Sequence, residues 1–193
     1  MKAAYADPPY LGLAQAFYGH LHPGAAEYDK PETHQRLIER LSDEYDCWAL
    51  SLQSNALRTI LAMCPDDVRV MAWVKGFASF KPGVKTAQFA WEPIIVRGGR
   101  PRDERLHCVR DWIQESMTLQ RGFQGAKPER VCFWLFEVMN LESTDTFDDL
   151  FPGSGAVTEA WEKWRQRTEP LQHGLFQGHN AESAPPVRLA GQR

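Results

Sequence analysis

Three short apolar runs, Met1 to Tyr5, Cys47 to Leu52 and Val68 to Val74, are each separated by a stretch of helical character, and this alternation constrains the fold more than any other feature. Pro31 opens the first such stretch, Glu32 to Leu41, where Leu37, Ile38 and Leu41 share one face and charges occupy the other. Asn55 to Met63 reads as the second helix, and Pro65-Asp66-Asp67 as the turn after it. Strand, helix, strand, helix, strand predicts an α/β layer with a mostly parallel sheet. At 193 residues there is enough chain for one domain with a full core.

Later segments extend the pattern. Thr86 to Ala90 and Glu92 to Val96 are β-rich and read as two strands, or as one strand bent at Pro93, ended by Arg97-Gly98-Gly99-Arg100-Pro101. Leu106 to Met117 is expected to be a short helix carrying Trp112, and Gly122 to Ala126 a loop. Pro128 then opens a helix, Glu129 to Met139, with Val131, Leu135 and Val138 on one face. Thr146 to Leu150 is a short predicted strand running into Phe151-Pro152-Gly153-Ser154-Gly155 and a helix from Ala156 to about Arg167. Beyond Pro170 the chain turns Gly-, Gln-, Ser- and Pro-rich, so 170–193 reads as a mobile or partner-docked tail. From Leu11 to Asp29 no period is sustained, which reads as loop with at most one short helix.

Two stretches carry chemistry. Asp7-Pro8-Pro9-Tyr10 follows the first apolar run, so a strand must stop there and leave in a rigid, extended exit. A carboxylate, the Pro8 carbonyl and an aromatic face are thereby grouped. They suit a planar ring bearing an amino group, two acceptors taking its N–H bonds while Tyr10 stacks, and suggest methyl transfer to an exocyclic amine. Strand, glycine turn, helix at Thr146 to Arg167 is a nucleotide-binding geometry, because missing Cβ atoms admit a ligand to the backbone and free helix N–H groups face it.

Taken together these stretches resemble the amino-methylating DNA methyltransferases, which use S-adenosylmethionine to modify adenine N6 or cytosine N4. Asp7-Pro8-Pro9-Tyr10 is similar to their catalytic (D/N/S)PP(Y/F/W) motif, and Asp149-Leu150-Phe151-Pro152-Gly153-Ser154-Gly155 to their cofactor motif DPFxGSG. Lys127-Pro128 resembles the KP element ahead of that turn, and Trp91 to Val96 the strand that closes the sheet. With the catalytic motif first and the cofactor motif last, the order resembles the permuted β class and MT-A70-like proteins.

The resemblance implies a Rossmann-like S-adenosylmethionine-dependent methyltransferase domain over residues 1–169, with adenine N6 as target because Asp opens the PPY motif. It implies that Asp7 and the Pro8 carbonyl hold the amine, that Pro9 stiffens the turn and that Tyr10 stacks on a flipped base. Asp149, Phe151, Gly153, Ser154, Gly155 and Lys127 would hold the cofactor. The family's next strand, ending in an acidic residue for the ribose, has no counterpart in Arg165 to Phe176; Glu159 and Glu169 are the substitutes at hand. The expectation is a fold truncated after the cofactor-motif helix, with a homodimer or hetero-partner completing the site. A degenerate, non-catalytic methyltransferase fold acting as a binding partner, and action on cytosine N4, RNA or another planar amine, are the alternatives.

Charge places the nucleic acid. The chain carries a net −3, yet 97–130 holds eight basic against five acidic residues, an excess of +3. Within this short recognition region, 97–126, Arg97, Arg100, Arg102, Arg105 and Arg110 are the expected phosphate contacts and Trp112 an expected stacking residue. The other tryptophans read as core, except that Trp161 and Trp164, three apart on one helix, read as a subunit contact. Four scattered cysteines without a CxxC pair fit reduced thiols in a cytoplasm, His20 and His22 lack further metal ligands at a suitable spacing, and no membrane-length apolar run occurs.

Overall fold

The computed structural model describes residues 1–20, 23–76, 87–104, 108–117 and 126–167. Its centre is a six-stranded sheet of β1 (Lys2–Ala6), β2 (Cys47–Ser51), β3 (Arg69–Val74), β4 (Trp91–Gly98), β5 (Trp112–Gln114) and β6 (Thr146–Asp149). The order across the sheet is β5-β3-β4-β2-β1-β6. β1 pairs in parallel with β2 and β6, and β3 with β5, whereas β4 runs antiparallel to both β2 and β3. Five strands therefore point one way and one is reversed, giving a Rossmann-like α/β architecture.

Alternation along β1 divides the core. Ala3 and Tyr5 face one side, with Val131, Trp134, Leu135 and Phe136 of α4 (Glu129–Val138) and Val157, Ala160 and Trp161 of α5 (Ala156–Arg165). Ala4 and Ala6 face the other, with Leu37, Ile38 and Leu41 of α2 (Pro31–Glu44) and Ile60 of α3 (Leu57–Leu61). Helices thus cover both faces, as a sheet buried on both sides requires. In α2 the buried residues are His34, Leu37, Ile38 and Leu41, the spacing of a single helical stripe. The His34 ring meets the Tyr28 carbonyl at 2.8 Å, giving this buried polar group a partner.

Several sequence expectations change. Trp112 lies on β5, an edge strand, and not on a helix, because Ile113 alone of its three residues is buried and strand alternation suffices to bury it. Residues 106–107 of that expected helix lie outside the described residues, as do Thr86, the Gly122 to Gly125 part of the expected loop, and the tail. Glu92 to Val96 is part of one continuous strand that tolerates Pro93, and it lies inside the sheet between β3 and β2 instead of closing it. Leu11 to Asp29 contains α1 (Ala14–Tyr18) and a 3-10 turn, Ala25–Asp29, stapled together by the Asp29 carboxylate, which accepts the amides of Ala14 and Gln15 at 2.9 Å each.

Trp161 and Trp164 make contacts within the chain. Trp161 lies 5.3 Å from Phe136 and 5.2 Å from Phe147, while Trp164 lies 5.6 Å from Phe136 and 5.8 Å from Phe133, ring centre to ring centre. That aromatic cluster joins α5 to α4 and β6, so the expected subunit stripe is instead internal packing. Among the described residues, no helix is long and apolar enough to cross a membrane.

Candidate active site

β1 and β6 are parallel neighbours, so the loops leaving them open on the same end of the sheet. Register places Tyr5 opposite Asp149, and the Leu150 N–H donates to the Tyr5 carbonyl at 2.9 Å. The Asp7-Pro8-Pro9-Tyr10 turn and the Asp149 to Gly155 turn, far apart in sequence, are thereby side by side. Pro8 is buried, while Asp7, Pro9 and Tyr10 are half-buried along the opening.

Around Asp7 the side chains form a connected row of partners. Tyr10 donates its hydroxyl to Asp7 Oδ1 at 3.2 Å, and Lys127 Nζ donates to Asp7 Oδ2 at 2.8 Å. The same ammonium donates to Glu92 Oε1 at 2.6 Å, and Lys75 Nζ reaches Glu92 Oε2 at 3.0 Å. Trp73 lines this row, its ring 4.7 Å from Lys75 Nζ and 5.3 Å from Lys127 Nζ. Burial lifts the Asp7 carboxyl above its ordinary range, with Lys127 opposing and Glu92 adding to the rise. Glu92 is pushed up by burial as well, but Lys127 and Lys75 outweigh that and its net shift is downward. Burial works against the Lys127 ammonium, yet Asp7 and Glu92 hold its pKa well above the ordinary lysine value. Tyr5 and Tyr10 are raised, first by burial and then by Asp7, so both phenols remain protonated donors.

Lys127, expected beside a cofactor, has its ammonium on Asp7 and Glu92. Its backbone position follows from Pro128, whose φ of −59° starts α4 and whose carbonyl accepts the Val131 N–H at 2.9 Å. Glu92 and Lys75 were not singled out in the sequence. The available signal was a carboxylate inside the apolar run Trp91 to Val96, since an acid buried on both faces of a sheet demands a cation.

Across the opening, Asp149 Oδ2 accepts the Thr158 hydroxyl at 3.0 Å. Its Oδ1 is buried with no hydrogen bond of ordinary geometry, and burial raises the carboxyl despite Thr158 and the Phe151 amide. Gly155 caps α5 at φ 78°, a left-handed conformation that favours glycine, and a Cβ there would meet nothing within 4 Å. Gly153 is nearly as open, the Phe151 carbonyl alone approaching at 3.8 Å, and Ser154 between them is exposed. Phe151 packs edge-on against Tyr28 at 5.5 Å. An orphaned acceptor beside an open glycine turn at a helix N-terminus fits a ligand that brings a cationic or N–H donor group. Glu159, on α5, is exposed and pairs with Lys163 at 3.2 Å; Glu169 lies outside the described residues.

Three of the arginines expected at nucleic acid, Arg97, Arg100 and Arg102, engage acidic partners. Arg97 donates to Asp67 at 2.8 Å, Arg100 binds Asp145 at 3.0 Å and the Asn140 carbonyl at 2.8 Å, and Arg102 reaches Glu137 at 3.4 Å. Arg110 is exposed and stacks 5.5 Å over Trp112, itself 43% exposed. Arg105 lies outside the described residues. All four cysteines are free thiols, and among the described residues no three His, Cys, Asp or Glu side chains converge as a metal site.

No protein-family model and no curated protein matches the chain. Among solved structures it is similar to a crystal structure of the M1.HpyAVI–SAM complex, with a TM-score of 0.57 and 14% identity over 85% of this chain and 78% of that one. A second crystal structure of M1.HpyAVI matches with a TM-score of 0.53 and 15% identity, over 86% of this chain and 77% of that one. At these identities the likeness is one of architecture: the chain has the Rossmann-like α/β fold of M1.HpyAVI.

Proposed function

We propose that this protein is a methyltransferase that uses S-adenosylmethionine to modify the exocyclic amine of a DNA base, adenine N6 in particular. The observation that carries the reading is the placement of the Asp7-Pro8-Pro9-Tyr10 turn beside the Asp149 to Gly155 turn, in a fold shared with a SAM complex.

On this reading the unpartnered Asp149 oxygen and the open backbone at Gly153, Ser154 and Gly155 hold the cofactor, and Phe151 packs beside it. When bound, S-adenosylmethionine supplies an electrophilic methyl group. Asp7 and the Pro8 carbonyl accept the two N–H bonds of the target amine, which draws the nitrogen lone pair out of conjugation with the ring. Tyr10 offers its ring face to a base rotated out of the duplex. Arg110 and Trp112 form an exposed cation–aromatic pair suited to a nucleic acid strand. Adenine is favoured over cytosine by the Asp that opens the motif.

The test is incorporation of labelled methyl groups into DNA, with RNA and a peptide in parallel, followed by hydrolysis to identify the modified base. N6-methyladenine from the wild-type chain, absent with Asp7→Ala, is the expected result. Equal incorporation by Asp7→Ala would overturn the role of Asp7, and label confined to cytosine, RNA or peptide would replace the substrate.

A second reading, a methyltransferase fold retained as the binding partner of an active enzyme, is favoured by one observation: β6 is a sheet edge among the described residues. Calorimetry separates the two. S-adenosylmethionine binding by the isolated chain supports the enzyme, and binding restored only by a partner supports the alternative.

A further inference from the structure

The row Asp7, Lys127, Glu92, Lys75 crosses four segments: the exit of β1, the start of α4, β4, and the end of β3. Its middle is dry. The Lys127 side chain is 4% exposed and that of Glu92 6%, whereas Asp7 at 23% and Lys75 at 19% reach towards the surface at opposite ends. A buried ion pair gives little net stability relative to apolar packing of the same volume, although removing one partner is costly. Knitting β4 to α4 is therefore a weak account of why an ammonium stands between two carboxylates at 2.8 and 2.6 Å.

Geometry gives a stronger account. Lys127 has three donors in a fixed tetrahedral array, and Glu92 takes one of them. With Pro128 fixing its backbone and Trp73 beside its tip, the ammonium has a defined position from which to engage Asp7 Oδ2. Asp7 Oδ1 accepts only the longer 3.2 Å bond from Tyr10 and so keeps lone-pair capacity for a further donor. A carboxyl must be ionised to serve as an acceptor with both oxygens, and a positive neighbour favours that form while a negative one disfavours it.

We propose that Lys127, gripped by Glu92, is a positioning residue that sets the orientation and charge of Asp7 for the incoming amine, with Lys75 anchoring the far end of the row. This rests on the reading of Asp7 as the group that receives the amine. Asp7 is faced by Tyr5 and Tyr10 from its own segment, Tyr18 from α1, Glu92 from β4, Lys127 ahead of α4 and Asp149 from β6. Burial, with Asp7 adding to it, raises all three phenols above the ordinary tyrosine value, away from the acid limb. Asp149 is the other acid in the opening, and Asp149→Asn identifies its contribution.

The experiment is the pH dependence of kcat/KM for methyl transfer to DNA, together with a titration of the Asp7 carboxyl carbon by NMR. Lys127→Met removes a positive neighbour and is expected to move the acid limb and the Asp7 titration up by about one pH unit or more. Glu92→Gln removes a negative neighbour and is expected to move both down, while Lys127→Arg stays nearer wild type. A merely structural pair predicts no such opposition of sign. If both variants move the limb the same way, or leave it in place while Asp7→Ala is inactive, the proposal fails. If Asp7→Ala is as active as wild type, the functional reading fails instead. Should either core variant not fold, Lys75→Met at the partly exposed end carries the test: it leaves Glu92 less compensated, so an upward movement supports the proposal and an unmoved Asp7 overturns it.

Discussion

The Leu150 amide donates to the Tyr5 carbonyl at 2.9 Å, which fixes the end of β6 against β1 two residues before Asp7. Together with the four-residue β1–β6 ladder, this bond holds the two turns of the site side by side. Any change that loosens either strand end acts on both halves of the site.

Tyr10 separates stacking from hydrogen bonding. Tyr10→Phe keeps the ring and removes the 3.2 Å bond to Asp7, so kcat/KM is expected to change only a few-fold. Tyr10→Ala removes the ring and with it about 1–3 kcal/mol of base stacking, a loss of roughly 5- to 150-fold. Steady-state kinetics on one DNA substrate check both, and equal losses would show that the ring does not stack.

Gly155 tests the glycine turn. Because its φ is 78°, Gly155→Ala should lose about 1 kcal/mol of stability, read by urea unfolding. Since a Cβ there meets nothing within 4 Å of the protein, that loss is backbone strain alone. Gly155→Val places more bulk in the space assigned to the cofactor, and calorimetry should show S-adenosylmethionine affinity falling further than stability does.

Asp145 governs acid stability. Its carboxylate binds Arg100 at 3.0 Å, the amino terminus at 2.6 Å and the Glu142 N–H at 2.8 Å. Burial alone would raise its pKa, but these partners outweigh it and hold the group below the usual range. A depressed folded-state pKa contributes stability that is present above the unfolded value of about 4 and is lost as pH falls through the folded value. Asp145→Asn is expected to cost roughly 3 kcal/mol at neutral pH by uncompensating a partly buried cation, with the gap from wild type narrowing on acidification. Urea unfolding between pH 7 and 3 measures it.

Trp112 and Arg100 should part company. Trp112 is 43% exposed and Arg110 stacks on it, so Trp112→Ala is expected to weaken DNA binding with little change in melting temperature. Arg100 is engaged with Asp145 and Asn140, so Arg100→Ala should lower the melting temperature first. Fluorescence anisotropy over a salt series, paired with thermal melts, distinguishes binding from folding.

Much of the architecture was legible because its signals are local. Leu37, Ile38 and Leu41 fall on one helical stripe whatever surrounds them, Pro8-Pro9 follows the end of β1, and Gly155 opens α5, the last two through backbone sterics that neighbours do not alter. Trp112 misled because a three-residue edge strand has no period of its own; pairing with β3 makes it a strand. Trp161 and Trp164 misled because an aromatic stripe looks the same whether it packs on Phe136 of the same chain or on another molecule.

The sequence by itself determined that β1 ends in a rigid turn presenting Asp7 and Tyr10, and that a glycine turn opens α5, since both depend on dihedral limits carried by the residues themselves. Only the tertiary structure decided that Glu92, buried in β4, and Lys127, 35 residues later, meet at 2.6 Å and that the same ammonium grips Asp7, 120 residues earlier. Such pairings depend on sheet order and on the exclusion of water, which strengthens a charge contact only after the chain has folded around it.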